Sequence, residues 1–459
     1  ISILGFIIKN LIIYSKNYFE TSFFKNLTIK YQKIVYLSYI KKSYSDFEKY
    51  SYSEIIRDYN FVLQAVGYLR SFLILFKETV IIGGIIITIL IIEKDFLFYI
   101  LLLLFLSFFI QKYLSSLVKN WGSKVASLKK EIFEIIRENY DLFLETKISN
   151  KDEYFFKSFQ KKININENNA AKAKLIAYLY KPFFEIVFII AILLCVLFMH
   201  HKNYSIEQMI PFVALLVFSG VRILPSISAL FVNYNSIKFT EKPSMIIYEK
   251  INELKKIKYL NQKKKILSIN FTNKIKIKNL NYKIKTTEIL KNINIDINKN
   301  EKVAFVGKVG SGKTTTLKIL SGLVTFEKGE IKIDNKLSLK PNQRFTWKNF
   351  SYFKQNAVLL NDTIKKNILF LHNVKFIQKN YNRLIENLGI KGNLLKNKKD
   401  LSKKVGFLGS KISGGQKQII ALARIFNRKN DIILLDEPTN NLDKRIKNKI
   451  LNFLKHYSG

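Results

Sequence analysis

Two short stretches in the last third of the sequence hold the residues best suited to chemistry. The first is Gly307-Lys308-Val309-Gly310-Ser311-Gly312-Lys313-Thr314, which has the glycines, lysine and hydroxyl of a phosphate-binding loop at the required spacing. An apolar run at 303–306 reads as the strand before it, and 315–320 reads as the helix after it. Gly307, Gly310 and Gly312, with Ser311 and Thr315 beside them, let backbone N–H groups face phosphate oxygens, and the helix N-terminus adds the positive end of its dipole. Lys313 then reaches the β and γ phosphates, and the Thr314 hydroxyl ligates Mg²⁺. The second stretch, Ile432-Ile433-Leu434-Leu435-Asp436-Glu437, is an apolar strand ending in two carboxylates. Asp436 is expected near the Mg²⁺ and Glu437 beside an attacking water, so the implied chemistry is phosphoryl transfer from a nucleoside triphosphate to water.

Between these stretches lies Ile412-Ser413-Gly414-Gly415-Gln416. The three together resemble the ABC ATPases, and the resemblance runs from about Ile275 to Gly459. It implies ATP and Mg²⁺ as cofactors. Tyr282 stands where that family stacks an aromatic on adenine, Gln355 where its Q-loop glutamine meets Mg²⁺ and the γ-phosphate site, and Asp443 where its D-loop aspartate lies. The catalytic set implied is Glu437, Gln355 and Lys313, with Thr314, Gln355 and Asp436 around the metal. The segment 359–368 is similar to the one that follows the Q-loop in exporters. In this family Ser413, Gly414, Gly415 and Gln416 of one subunit complete the nucleotide site of the other. One such domain per chain therefore implies a dimer, and the presence of Glu437 favours a homodimer. Departures are Ile412 for the usual Leu, Ile419 where Arg is common, and Phe407 where exporters often place a Glu. The family's switch histidine is expected about thirty residues after Glu437, beyond Gly459; His456 comes too early and reads as a surface histidine, so the chain as given is expected to hydrolyse ATP poorly.

These motifs occupy an α/β region that begins near 266. The preceding half is different: residues 69–92, 96–117, 183–199 and 206–232 meet or approach the about 20 apolar residues that a membrane span needs, and 1–14 reads as a fifth, shorter span. Lysine-rich stretches at 16–57 and 112–181 place those segments on the cytoplasmic side, whereas the turns Glu93-Lys94-Asp95 and His200-His201-Lys202-Asn203 fit the outer face. A preceding helix would bring the spans to six. The cytoplasmic stretches show helical periodicity, with Val125, Leu128, Ile132 and Ile135 on one stripe, so the helices project beyond the bilayer. Tips at about 48–59 and 149–159 look like the coupling elements of ABC exporters. The expected fold is an all-α transmembrane bundle with long cytoplasmic helices (1–240), a linker (241–265) and a P-loop ABC ATPase domain (266–459). The expected location is a bacterial cytoplasmic membrane, with the ATPase domain in the cytosol.

Composition bounds the partners. The 459 residues include 76 Lys plus Arg against 34 Asp plus Glu, a formal net charge of +42. Lys is abundant along the whole chain with Ile, Asn, Tyr and Phe, which reads as residue bias with some attraction to anionic lipid. No basic module interleaved with aromatics marks a nucleic-acid partner. The one cysteine, Cys195, lies in an apolar run and forms no intrachain disulfide, and His200-His201 lacks further ligands at metal spacing.

For cargo, Asn120-Trp121-Gly122, Tyr180-Lys181-Pro182-Phe183-Phe184-Glu185 and Gly220-Val221-Arg222-Ile223-Leu224-Pro225-Ser226 resemble the lipid-linked oligosaccharide flippases of bacterial protein glycosylation. Cations within or beside a span are functional candidates because burying them is costly. Arg222, Arg70 and Lys77 could hold a pyrophosphate; alternatively, Arg70 lies in the cytoplasmic extension of its helix, and Lys77 pairs with a carboxylate on a neighbouring helix or snorkels to the interface. The rival readings are a peptide or drug exporter of the same architecture and a membrane-tethered regulatory ATPase.

Overall fold

A computed structural model describes residues 2–92, 97–201, 204–263, 267–284, 286–370, 401–428, 430–440 and 442–457. The expected outer turn Glu93-Lys94-Asp95, the Lys202-Asn203 half of the other turn, and the expected element ends at Ile1, Phe96, Ile266 and Gly459 lie outside them. The chain divides into two compact units, one of Ile1–Lys42 with Asp46–Leu260, the other of Asn261–Gly459 with Ser43–Ser45.

The first unit is helical, its elements being α1 (Ser2–Ile40), α2 (Tyr44–Phe47, whose first two residues count with the second unit), α3 (Tyr52–Ile92), α4 (Leu97–Asp141), α5 (Phe143–Ile148), α6 (Asp152–His201) and α7 (Ile206–Lys263, whose last three residues count with the second unit). Among the described residues, Tyr52–Thr88, Asp152–His201 and Met209–Ile257 are long and apolar enough to cross a membrane. At 50 and 58 residues, α6 and α7 are far longer than a span requires, so polar turns continue each helix past its apolar stretch. Pro182, Pro211, Pro225 and Pro243 lie inside these helices without ending them. Membrane helices tolerate proline because neighbouring groups satisfy the freed carbonyls.

The tips fall earlier than the sequence pattern suggested. Residues 52–59 already belong to α3, because Ser51 and Glu54 form a capping box: the Ser51 Oγ accepts from the Glu54 N–H at 3.2 Å and Glu54 Oε2 accepts from the Ser51 N–H at 3.1 Å. The first connection is therefore 41–51, carrying α2. The second is only 149–151, where Asn150 adopts a positive φ of 52° before α6 begins at Asp152.

Helix packing engages residues in each of the three stretches that carry the flippase resemblance. A Cβ at Gly122 would stand 2.2 Å from the Phe239 carbonyl oxygen, so α4 and α7 touch backbone to backbone there. Gly220 faces the Phe188 ring just as closely, at 2.2 Å from Cε1. Tyr180 and Phe184 stack with Phe231 at centroid separations of 5.2 and 4.8 Å, and the Tyr180 hydroxyl donates to Gln111 Oε1 at 2.7 Å while Asn235 Nδ2 donates back to it at 2.5 Å. Gln111 Nε2 closes the ring onto Asn235 Oδ1 at 3.1 Å, giving α4, α6 and α7 one mutually satisfied polar contact. A buried Asp58 similarly joins α1, α3 and α7. It accepts from the Tyr39 hydroxyl at 2.5 Å and from Arg57 at 2.7 Å, with Lys250 at 3.8 Å.

The second unit contains β1 (Leu267–Ile269), β2 (Lys274–Ile284), β3 (Thr287–Asn298), α8 (Lys313–Leu320), β4 (Lys328–Ile333), β5 (Leu337–Leu339), β6 (Phe345–Trp347), β7 (Phe350–Phe353), α9 (Ile364–Leu369), α10 (Gly414–Phe426), β8 (Ile432–Leu435) and α11 (Lys444–His456). An antiparallel sheet has the order β3-β2-β4-β5, and parallel pairs join β1 to β6 and β7 to β8. Ile275, Ile277 and Leu280 of β2 and Ile331 and Ile333 of β4 alternate into a core shared with Ile319 and Leu320 of α8. A second core packs Ile419, Ile420, Leu422 and Ala423 of α10 against Ile446 and Ile450 of α11. Ile419, the departure from a common Arg, is 1% exposed and belongs to this core.

One expected strand is not formed. Residues 301–308 carry no strand, and Val306 is 92% exposed. An apolar run becomes a strand only when a neighbour supplies a hydrogen-bonded ladder, and none of the described strands pairs with it.

Candidate nucleotide site

The phosphate-binding loop keeps its shape through backbone conformations that only glycine adopts cheaply. Gly310 and Gly312 have φ of 84° and 85°, and a Cβ on Gly312 would stand 2.5 Å from Leu290 Cδ2. Gly312 is the N-cap of α8 and offers no side-chain cap, so the first N–H groups of the helix face the loop. Lys313 Nζ donates to the carbonyls of Gly307 and Lys308, both at 2.8 Å, which folds the ammonium back over the loop.

The end of β8 meets this loop. Asp436, 6% exposed, accepts from the Thr314 hydroxyl on Oδ1 at 3.1 Å and from the Tyr352 hydroxyl on Oδ2 at 3.2 Å. Parallel pairing of β7 with β8 places Phe353 beside Leu435, which brings Gln355 to the carboxylate that follows. Gln355 Nε2 donates to Glu437 Oε2 at 2.5 Å, and Asn440 Nδ2 donates to the same oxygen at 2.5 Å. Glu437 itself has a φ of 51°. Its turn is held from α10 by the buried Gln418, whose Nε2 donates to the Pro438 carbonyl at 3.0 Å and reaches that of Glu437 at 3.5 Å.

The structure thus brings together Lys313, Thr314, Gln355, Asp436 and Glu437 from three separate segments. Tyr282 lies on β2 opposite Leu290, the residue against which Gly312 packs, so it flanks the loop at one remove. Ser413 and Gln416 form a capping box at the start of α10, with distances of 3.2 and 3.0 Å, and this turn presents Gly414 and Gly415. Asp443 caps α11 by accepting from the Ile446 N–H at 2.8 Å. The sequence reading passed over Tyr352, Gln418 and Asn440. Only Asn440 had a local signal, an amide three residues after a carboxylate in a turn.

The donor set fits Mg²⁺ with a triphosphate. A hydroxyl, a carboxylate and an amide oxygen are hard ligands of the kind Mg²⁺ takes, beside a loop of N–H groups and a lysine suited to phosphate oxygens. Thr314, Asp436 and Gln355 would hold the metal, which supplies charge neutralisation on the phosphates when bound.

Of the three membrane cations, Lys77 and Arg222 both lie by Glu78, whereas Arg70 is engaged elsewhere. Arg70 pairs with Glu20 of α1 at 3.0 Å and lies over the Phe24 ring. Lys77 pairs at 2.6 Å with Glu78 of its own α3 rather than with a carboxylate of a neighbouring helix, and Glu78, 7% exposed, is bonded to Ser226 of α7. Arg222, one helical turn from Ser226, is exposed and interacts electrostatically with Glu78. Glu20 and Glu78 are the carboxylates that the sequence reading did not assign.

Comparison with known proteins agrees with this geometry. Residues 290–440 match the ABC transporter family. A Rickettsia typhi protein named as an export ATP-binding/permease protein is 37% identical over 168 residues, 37% of this chain and 29% of that protein. The nisin transport ATP-binding protein of Lactococcus lactis is 38% identical over 168 residues, 36% of this chain and 28% of its own length. The matched stretch therefore spans under a third of these relatives. Among solved structures, a bacterial Atm1-family ABC exporter with ATP bound superposes with a TM-score of 0.74 over 97% of this chain and 78% of that one, at 17% identity. Residues 290–440 thus resemble the ABC transporter family, and the chain that carries them has the fold of a bacterial Atm1-family ABC exporter.

Proposed function

We propose that this chain is one half of an ATP-driven exporter of a bacterial cytoplasmic membrane, working as a homodimer in which Ser413, Gly414, Gly415 and Gln416 of each copy complete the nucleotide site of the other. The observation that carries the reading is one chain joining helices of membrane-crossing length to a site where Thr314 and Asp436 meet beside Gln355 and Glu437. In this reading Lys313 and the loop bind the triphosphate, Asp436 and Gln355 hold Mg²⁺, Tyr282 stacks on the base, and Glu437 takes a proton from the attacking water. Residues 1–240, 241–265 and 266–459 serve as membrane domain, linker and ATPase domain.

For cargo we retain a lipid-linked oligosaccharide or related polyprenyl-pyrophosphate glycolipid. Its support is the α3/α7 seam, where Lys77 and Arg222 outnumber Glu78 by one positive charge. Arg70, already paired with Glu20, contributes least to this site. Gly122, Tyr180 and Gly220 serve helix packing, so within the stretches that carry the resemblance it is Arg222 that bears on cargo. A peptide exporter is the second reading, favoured by the likeness to the nisin transport protein.

The test is ATPase and transport by the full-length protein in liposomes, with Glu437→Gln as control. Stimulation and flipping of undecaprenyl-pyrophosphate oligosaccharide, both abolished in the control, support the first reading. ATPase that ignores the lipid and responds to peptides replaces it with the second. ATPase that couples to neither overturns transport.

A further inference from the structure

We propose that Asn440 is a positioning residue for Glu437, fixing which carboxylate oxygen is presented to the attacking water. The inference rests on the reading of Glu437 as the general base. A glutamate on an open turn samples many rotamers, and fixing it costs side-chain freedom. Here both amides converge on one oxygen: Asn440 Nδ2 and Gln355 Nε2 each donate to Oε2 at 2.5 Å. Oε1 has no hydrogen-bond partner among the described residues, so it is the oxygen left to accept a proton.

The two donors are not equivalent. Gln355 comes from the segment after β7 and has a second duty, since its Oε1 is the atom expected at Mg²⁺; donating through Nε2 leaves that oxygen available. Asn440 belongs to the same turn as Glu437 and moves with it. Its backbone N–H donates to the Glu437 carbonyl at 3.3 Å, and the turn is anchored on α10 by Gln418. Glu437 has a left-handed φ, unusual for a non-glycine residue, within this same turn.

The experiment measures steady-state ATPase of the full-length protein in liposomes for Asn440→Ala, which removes the donor, and for Asn440→Leu, which keeps the size without the N–H and without adding charge. Each is also combined with Glu437→Gln, and affinity for a fluorescent ATP analogue is measured in parallel. Loss of one orienting hydrogen bond to a charged group predicts a fall in kcat of about tenfold in both variants. KM and analogue affinity stay within about twofold, and neither variant adds to the effect of Glu437→Gln. The proposal is overturned if Asn440→Ala keeps kcat within about twofold of the parent, or if its loss lies in KM. An inactive Glu437→Gln beside a fully active Asn440→Ala removes the positioning role alone. An active Glu437→Gln removes the base itself and the positioning role with it.

Discussion

Glycine 122 gives the most direct test of how the membrane helices are held. An added methyl at Gly122 would lie 2.2 Å from the Phe239 oxygen, 2.7 Å from its Cα and 2.8 Å from its carbonyl carbon, all backbone atoms that cannot rotate aside. Real Cβ contacts stay above 3.0 Å, so α4 and α7 must separate by roughly 0.8 Å or more. Overpacking of this kind costs about 1–3 kcal/mol, against the roughly 1 kcal/mol that alanine gains over glycine in a helix. Gly83 and Gly84 supply the control: both lie inside α3 with nothing within 4 Å of an added Cβ. The expected order of thermal stability in detergent is therefore Gly83→Ala and Gly84→Ala at or slightly above the parent, with Gly122→Ala several degrees below it. The α4/α7 seam also holds Gln111 against Asn235, so Gly122→Ala should loosen that contact and raise hydrogen exchange around residue 235. A Gly122→Ala protein as stable as Gly83→Ala would refute the backbone-to-backbone contact.

Two further outcomes follow from the ATPase unit. Tyr352→Phe removes only the hydroxyl that donates to Asp436 Oδ2, so the Mg²⁺ concentration for half-maximal ATPase should rise about tenfold, whereas an unmoved Mg²⁺ titration would assign Tyr352 to packing alone. Asp334 accepts four hydrogen bonds, from the Thr272 N–H and hydroxyl and from the Asn273 and Lys274 N–H groups. Partial burial works to raise its carboxyl, but the Thr272 side chain and the three backbone donors outweigh it and hold the group below the usual carboxylate range. A depressed folded pKa means stability that is present above about pH 4 and lost as the pH falls through the folded value. Asp334→Asn should thus cost roughly 1–2 kcal/mol at pH 7 and progressively less in acid. The chain has two tryptophans, and Trp347 lies in the core beside this turn, so its fluorescence in a Trp121→Phe background reports the transition.

What the sequence determined by itself was whatever depends on near neighbours. Gly307 to Thr314 act within one loop, an apolar stretch reports its own transfer into lipid, and Ser413 caps the helix that starts one residue later. The start of α3 is equally local, because Ser51 and Glu54, three residues apart, form its capping box. Tertiary structure alone decided the contacts between residues far apart in sequence. Asp436 meets Thr314 across 122 positions, Gln355 meets Glu437 across 82, and Arg70 finds Glu20 across 50. The run at 303–306 shows the same limit from the other side, since its apolar pattern proposes a strand but only a paired neighbour makes one. Hydrophobic period and capping are properties of a segment, whereas a ladder, a packed glycine or a shared carboxylate oxygen belongs to two segments at once. No pattern within either one specifies its partner.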